Sequence, residues 1–91
     1  MSNDFETINQ LIRNGNVAEA ISRLSQYVAT DGSCAEAFFL LGKAYHKTGD
    51  WRQAIYNFNM SAELNPDGPA QEALKQLQDI LNFYNTDLYN P

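Results

Sequence analysis

The chain reads as a copy of itself at an offset of 34 residues. Asn14-Gly15-Asn16 returns as Thr48-Gly49-Asp50, Ala20-Ile21 as Ala54-Ile55, Leu24 as Phe58, Leu11 as Tyr45, Phe5 as Phe39 and Arg13 as Lys47. A fixed period of roughly 20 to 50 residues marks a stacked-repeat architecture, in which each unit buries its apolar face only against the next. Such stacks present an extended concave surface, so the expected ligand is a partner rather than a small substrate.

The punctuation between repeats predicts helices. Phe5, Ile8, Leu11 and Ile12 recur at helical spacing, and Gly15 supplies a left-handed stop. Asn16 is placed to cap a second helix, with Glu19 completing a capping box and Val17, Ala20, Ile21, Leu24 and Val28 on its buried face. Asp31-Gly32 ends it. Ser33, boxed with Glu36, is expected to cap a third helix whose Phe38, Leu41, Ala44 and Tyr45 face inward. Gly49 stops that helix, and Asp50 with Gln53 opens a fourth, striped by Trp51, Ala54, Ile55, Phe58, Ala62 and Leu64. Pro66-Asp67-Gly68-Pro69 breaks the chain again, and Pro69 suits the first turn of a fifth helix. That helix carries Ala70, Ala73, Leu74, Leu77, Leu81 and Tyr84 on one stripe and polar residues off it, as a terminal cap of a stack requires. No stretch alternates with the period of a strand, so the class is all-α.

Phe38-x2-Leu41-Gly42-x2-Tyr45, Gly49-Asp50-Trp51, Ala54-x3-Phe58 and Pro66 resemble the tetratricopeptide repeat, whose period is also 34 residues. The leading position has Phe38 where the family usually has Trp. The resemblance implies one domain over residues 1–91: a degenerate repeat at 1–34, a well-matched repeat at 35–68, a capping helix at 69–85 and a tail at 86–91. It implies a right-handed stack of antiparallel helix pairs, about five helices in all. The first repeat puts Asp4, Thr7 and Ile8 at the positions of Phe38, Leu41 and Gly42. Nothing packs ahead of it, which relaxes the demand for apolar residues there.

In this family the first helix of each pair lines the groove. The resemblance therefore implies a non-enzymatic module that binds a protein or peptide through Phe5, Asn9, Ile12, Arg13, Phe39, Lys43, His46, Lys47 and Leu77. Glu36, Ala73 and Ile80 are further groove positions. Aromatic residues beside a basic strip suit an acidic peptide carrying one large apolar side chain. Chaperone-binding members hold a peptide's terminal carboxylates with a set of Lys, Asn and Arg. Only Asn9 matches that set here. Phe5, Lys43, Ala73 and Leu77 depart from it, which argues against a chaperone tail as the ligand.

Composition narrows the remaining classes. The formal charge of −5 disfavours nucleic acid and anionic membrane as partners. The start Met1-Ser2-Asn3-Asp4 has neither the basic nor the apolar region of a signal peptide, and Cys34 has no second cysteine to pair with; a cytoplasmic setting is expected. His46 is the sole histidine and has no second ligand at metal-binding spacing, and no phosphate loop or Ser/His/Asp set is present. No cofactor, metal or catalytic residue is expected. Phe83, Tyr84, Leu88 and Tyr89 crowd the last nine residues with large apolar groups. They either fold back over exposed helix ends or join two copies, so a homodimer through the fifth helix and tail is the competing reading.

Overall fold

Two glycines make the corners within the helix pairs. Gly15 and Gly49 take φ values of 91° and 83°, the left-handed region in which a β-carbon is strained. Each closes a helix in the same way. The Asn16 amide donates to the Leu11 carbonyl at 2.8 Å and the Gly15 amide to Ile12 at 3.2 Å; Asp50 to Tyr45 at 3.0 Å and Gly49 to His46 at 3.1 Å repeat the arrangement. These paired bonds, one six-to-one and one four-to-one at each corner, satisfy end carbonyls and turn the chain back within three residues, so each helix must pack against the one just left.

The computed structural model describes the backbone of residues 3–89 and the side chains of residues 4–81. Five helices result: α1 (Asn3–Arg13), α2 (Val17–Thr30), α3 (Ala35–Thr48), α4 (Trp51–Leu64) and α5 (Ala70–Tyr89). Among the described residues there is no strand. α1 with α2 and α3 with α4 form the two pairs, and α5 lies against α4.

The helix starts differ from expectation in two of three cases. The Asp50 carboxylate accepts the Gln53 amide at 3.3 Å, a true side-chain cap. Asn16 holds the N-cap position of α2, yet its side chain makes no cap bond, so the box with Glu19 does not form. Ser33 does not cap α3 at all; Cys34 does, with extended backbone and no side-chain bond. The Ser33 hydroxyl and amide both donate to Asp31 Oδ1, at 2.7 and 3.1 Å. That short-range Asx turn engages Ser33 one residue too early for the helix, and Glu36 loses its box partner. Ser33's hydroxyl, then its amide, hold the Asp31 carboxyl below its ordinary pKa.

Packing explains the large and small residues. At Gly42 a β-carbon would sit 2.5 Å from the Phe58 ring, so the absence of a side chain is what lets α3 approach α4. The equivalent pair in the first repeat is Ile8 and Leu24, 5% and 0% exposed and in one core cluster. Bulk that sits on the second helix in one repeat is shared between both helices in the other. On α4 the buried residues Ala54, Asn57, Phe58, Ser61 and Ala62 form one stripe at helical spacing. Two of them are polar and satisfied internally: Asn57 Nδ2 donates to the Gln53 carbonyl at 2.8 Å, and Ser61 Oγ to the Ala35 carbonyl at 2.7 Å, tying α4 to α3. Trp51 and Leu64, expected on this stripe, are 36% and 40% exposed. They flank the stripe at opposite ends of the helix, where the neighbouring helices no longer cover them.

Both ends of the stack are polar where its middle is apolar. Phe38, Leu41 and Tyr45 on α3 lie between α2 and α4 and border a depression with Val28, Ala29, Gln53, Tyr56 and Asn57. Moved by one repeat, these positions become Glu72, Lys75 and Asp79 on α5, all exposed, and Asp4 and Thr7 on α1, also exposed, while Leu11, the counterpart of Tyr45, stays half-buried against the core. Among the described helices, none packs ahead of α1 or beyond α5. α5 itself buries Ala70, Leu74 and Leu77 with Ala54, Phe58 and Ala62. It continues to Tyr89 rather than stopping at 85, since residues 82–89 hold no Gly or Pro to end it. The expected stripe position of Tyr84, the packing of Phe83, Leu88 and Tyr89, and the fate of the tail fall outside the described side chains.

The face shared by the first, third and fifth helices

α1, α3 and α5 expose one continuous face, and on it the 34-residue echo becomes physical contact. Lys43 Nζ donates to Asn9 Oδ1 at 3.2 Å, and Lys47 Nζ to the Arg13 carbonyl at 3.3 Å, each bond joining residues 34 apart in the chain. The second bond satisfies an end carbonyl of α1 with a cation, the favourable sign at a helix C-terminus. Neither lysine is a merely solvated charge. Each ammonium has three donors, so a single protein bond leaves two for a ligand.

Three depressions open on this face, and Lys43 borders all of them. The first, about 350 Å³, lies between α1 and α3 and is lined by Asn9, Ile12, Arg13, Lys43, His46 and Lys47. No carboxylate lines it. The second, about 240 Å³, lies between α3 and α5, with Phe39, Phe58, Ala73, Leu77 and Ile80 among its lining residues. The third, about 360 Å³, sits at the N-terminal end of α3, where Glu36, Phe39 and Lys43 meet Asn9, Ser61, Asn65 and Pro69. Lys43 Nζ stands 5.7 Å from the centre of the Phe39 ring, a cation–π distance, and Phe39 leans on Phe58 at 5.6 Å.

Of the nine residues expected in the groove, Asn9, Arg13, Phe39, Lys43, His46 and Lys47 come together with accessible surface. Ile12 and Leu77 line depressions but are only 4% and 2% exposed; they are floor, held by the core. Phe5 stands apart from these. Its ring packs edge-on to Tyr27 at 5.1 Å, and it borders none of the three depressions. Among the described helices none precedes α1, and Phe5 covers α2 instead. His46 also has a partner, the Trp51 ring at 5.1 Å across the α3–α4 corner.

Ser61, Asn65 and Pro69 were not expected at the site. They come from the end of α4 and the following turn, and the Ser61 tie to Ala35 holds that end against α3. Cys34 is a half-buried free thiol beside Tyr27, and the thiol is the first cause that pushes the Tyr27 hydroxyl above its ordinary pKa. Among the described residues, no three His, Cys, Asp or Glu side chains gather as metal ligands, and no helix is long and apolar enough to cross a membrane.

Charge is unevenly spread. Arg13, Lys43 and Lys47 are three of the six Lys and Arg residues, while the chain carries eleven Asp and Glu. Half the cations therefore sit at one depression of an acidic protein. Among the described residues, the ion pair is the exposed Arg23–Glu19, remote in sequence from these three.

A sequence profile described as tetratricopeptide repeat matches residues 11–78. The match starts in the last turn of α1 and so omits the part of the first repeat in which Asp4, Thr7 and Ile8 depart from the pattern. The solution NMR structure of Bacteroides fragilis protein BF1650 superimposes with a TM-score of 0.84 at 45% identity, over 94% of this chain and 88% of that one. No curated protein sequence matches the chain.

Proposed function

The chain belongs to the tetratricopeptide repeat family, generally a class of non-catalytic protein–protein interaction modules, and from that premise we propose that it binds an acidic peptide segment on the face of α1, α3 and α5. The observation that carries this reading is the depression lined by Arg13, Lys43 and Lys47 with no carboxylate among its lining residues. Beside it lies the apolar depression of Phe39, Ala73, Leu77 and Ile80. The two sit on either side of α3, about 10 Å apart at ordinary helix spacing. A carboxylate and a large apolar side chain about three residues apart in an extended segment span that distance.

Binding of a labelled peptide of that kind, followed by fluorescence polarisation, tests the reading. The variant Lys43→Gln/Lys47→Gln keeps side-chain length and removes both charges. Affinity is expected to fall about tenfold or more, with the melting temperature recorded alongside because both lysines also tie α3 to α1. Unchanged affinity in a folded variant rejects the groove. A homodimer is the alternative, to be read by light scattering over a dilution series. The polar outer positions Glu72, Lys75 and Asp79 weigh against that face of α5 as its interface.

A further inference from the structure

We infer that this face reads the order of charges in its ligand along the axis of α3: a cation at the Glu36 end, an apolar side chain over Phe39, and carboxylates at the Lys43–Lys47 end. The inference rests on the proposed groove and adds a direction to it. Glu36, Phe39, Lys43 and Lys47 fall at intervals of three, four and four residues, so they follow one face of a single helix. At 1.5 Å per residue, Glu36 and Lys43 are about 10 Å apart and Glu36 and Lys47 about 16 Å. The depression at the N-terminal end of α3 holds both Glu36 and Lys43, with Phe39 between them, and is therefore bipolar. Its neighbour toward the α3 C-terminus is lined by Arg13, Lys43, His46 and Lys47 and has no carboxylate. Sharing Lys43, the two form one path whose charge changes sign once.

The occupant that fits is a peptide segment with one Lys or Arg, a large apolar residue after it, and acidic residues about three to five positions from the cation, at about 3.3 Å per extended residue. An acid-only segment places a carboxylate against Glu36. A segment whose cation follows its acids places that cation against Arg13 and Lys47 when bound in the same direction, and lifts its apolar residue off Phe39 when bound in reverse. Both orders meet like charge, which is how a site rejects as well as selects.

The test uses the full chain and two isomeric labelled peptides of equal net charge. One runs Arg-Gly-Leu-Asp-Glu, and the other Leu-Asp-Glu-Gly-Arg. Fluorescence polarisation at low salt is expected to favour the first by about threefold to fivefold, the size of one exposed charge contact. Glu36→Gln should narrow the preference to what the clash at Arg13 and Lys47 supplies, and Glu36→Lys should narrow it further, with melting curves showing that both variants fold. Equal affinity of wild type for the two peptides overturns the inference and leaves the groove standing. Failure of both peptides to bind wild type overturns the groove reading and the inference with it.

Discussion

α1 and α3 hold equivalent places in successive repeats and live in different surroundings. α3 buries Ala37, Phe38, Leu40, Leu41, Gly42 and Ala44, which leaves little of its circumference to solvent apart from the candidate groove. α1 buries Ile8 and Ile12. The residues are not weaker versions of one another; they answer to different numbers of neighbours. Where α3 is flanked by α2 and α4, Phe38 and Leu41 have two helices to cover them. On α1 and α5, the first and last of the described helices, the same positions carry Asp4, Thr7, Glu72 and Lys75. A repeat's sequence thus reports its place in the stack as much as its membership of it.

The comparison breaks if equivalent positions respond alike. Leu41→Ala is expected to lower unfolding free energy by about 2 to 5 kcal/mol, whereas Thr7→Ala and Lys75→Ala change it by less than about 0.5 kcal/mol, measured by urea denaturation. Comparable losses at all three sites would remove the distinction. Next in size is Gly42→Ala, which drives a β-carbon into the Phe58 ring and should cost about 1 to 3 kcal/mol despite alanine's better helix propensity. A neutral result there would mean that α3 and α4 are not in contact at Gly42.

The two second helices also differ at their starts. Asp50→Ala removes a side-chain cap and should cost about 1 kcal/mol, while Asn16→Ala removes none and should cost a few tenths. Equal costs from thermal melts would restore the cap that Asn16 lacks here. The smallest effect concerns the join between the repeats. Ser33→Ala should raise the Asp31 pKa toward its ordinary value, read from the carboxyl carbon by NMR titration. Because the folded pKa is depressed, the bond's stabilisation is present above the unfolded pKa and is lost as pH falls through the folded one. A wild-type and variant pair that titrate together would place the cause elsewhere.

Gly15, Gly49 and Asp50 were legible in the sequence because each is a local signal: positive φ and a cap depend on a few consecutive residues. Ser33 misled for the same reason. Two local motifs competed for one hydroxyl, and the nearer acceptor, Asp31, took it. Asn57 and Ser61 lay on a plain helical stripe with Ala54, Phe58 and Ala62, but their polar chemistry masked burial that the spacing itself implied. Of the site, the contributions of α1 and α3 followed from the repeat offset. Phe5 stands apart because its ring packs on Tyr27 of α2, a contact that the offset does not encode. Ser61, Asn65 and Pro69 enter through a tertiary contact between α4 and α3, for which no periodic pattern exists.

The bonds from Lys43 to Asn9 and from Lys47 to Arg13 carry a last consequence. In a stack built by translation, the spatial neighbour of a position is its own counterpart, so a faithful copy would set every residue beside its twin. Twin cations would repel. At one rung Asn9 stands where a second lysine would be, and at the other Lys47 turns its charge to the backbone of Arg13 rather than its side chain. Divergence at the first rung and a turn to the backbone at the second thus keep like charges from facing one another, and the stack coheres along that edge for that reason.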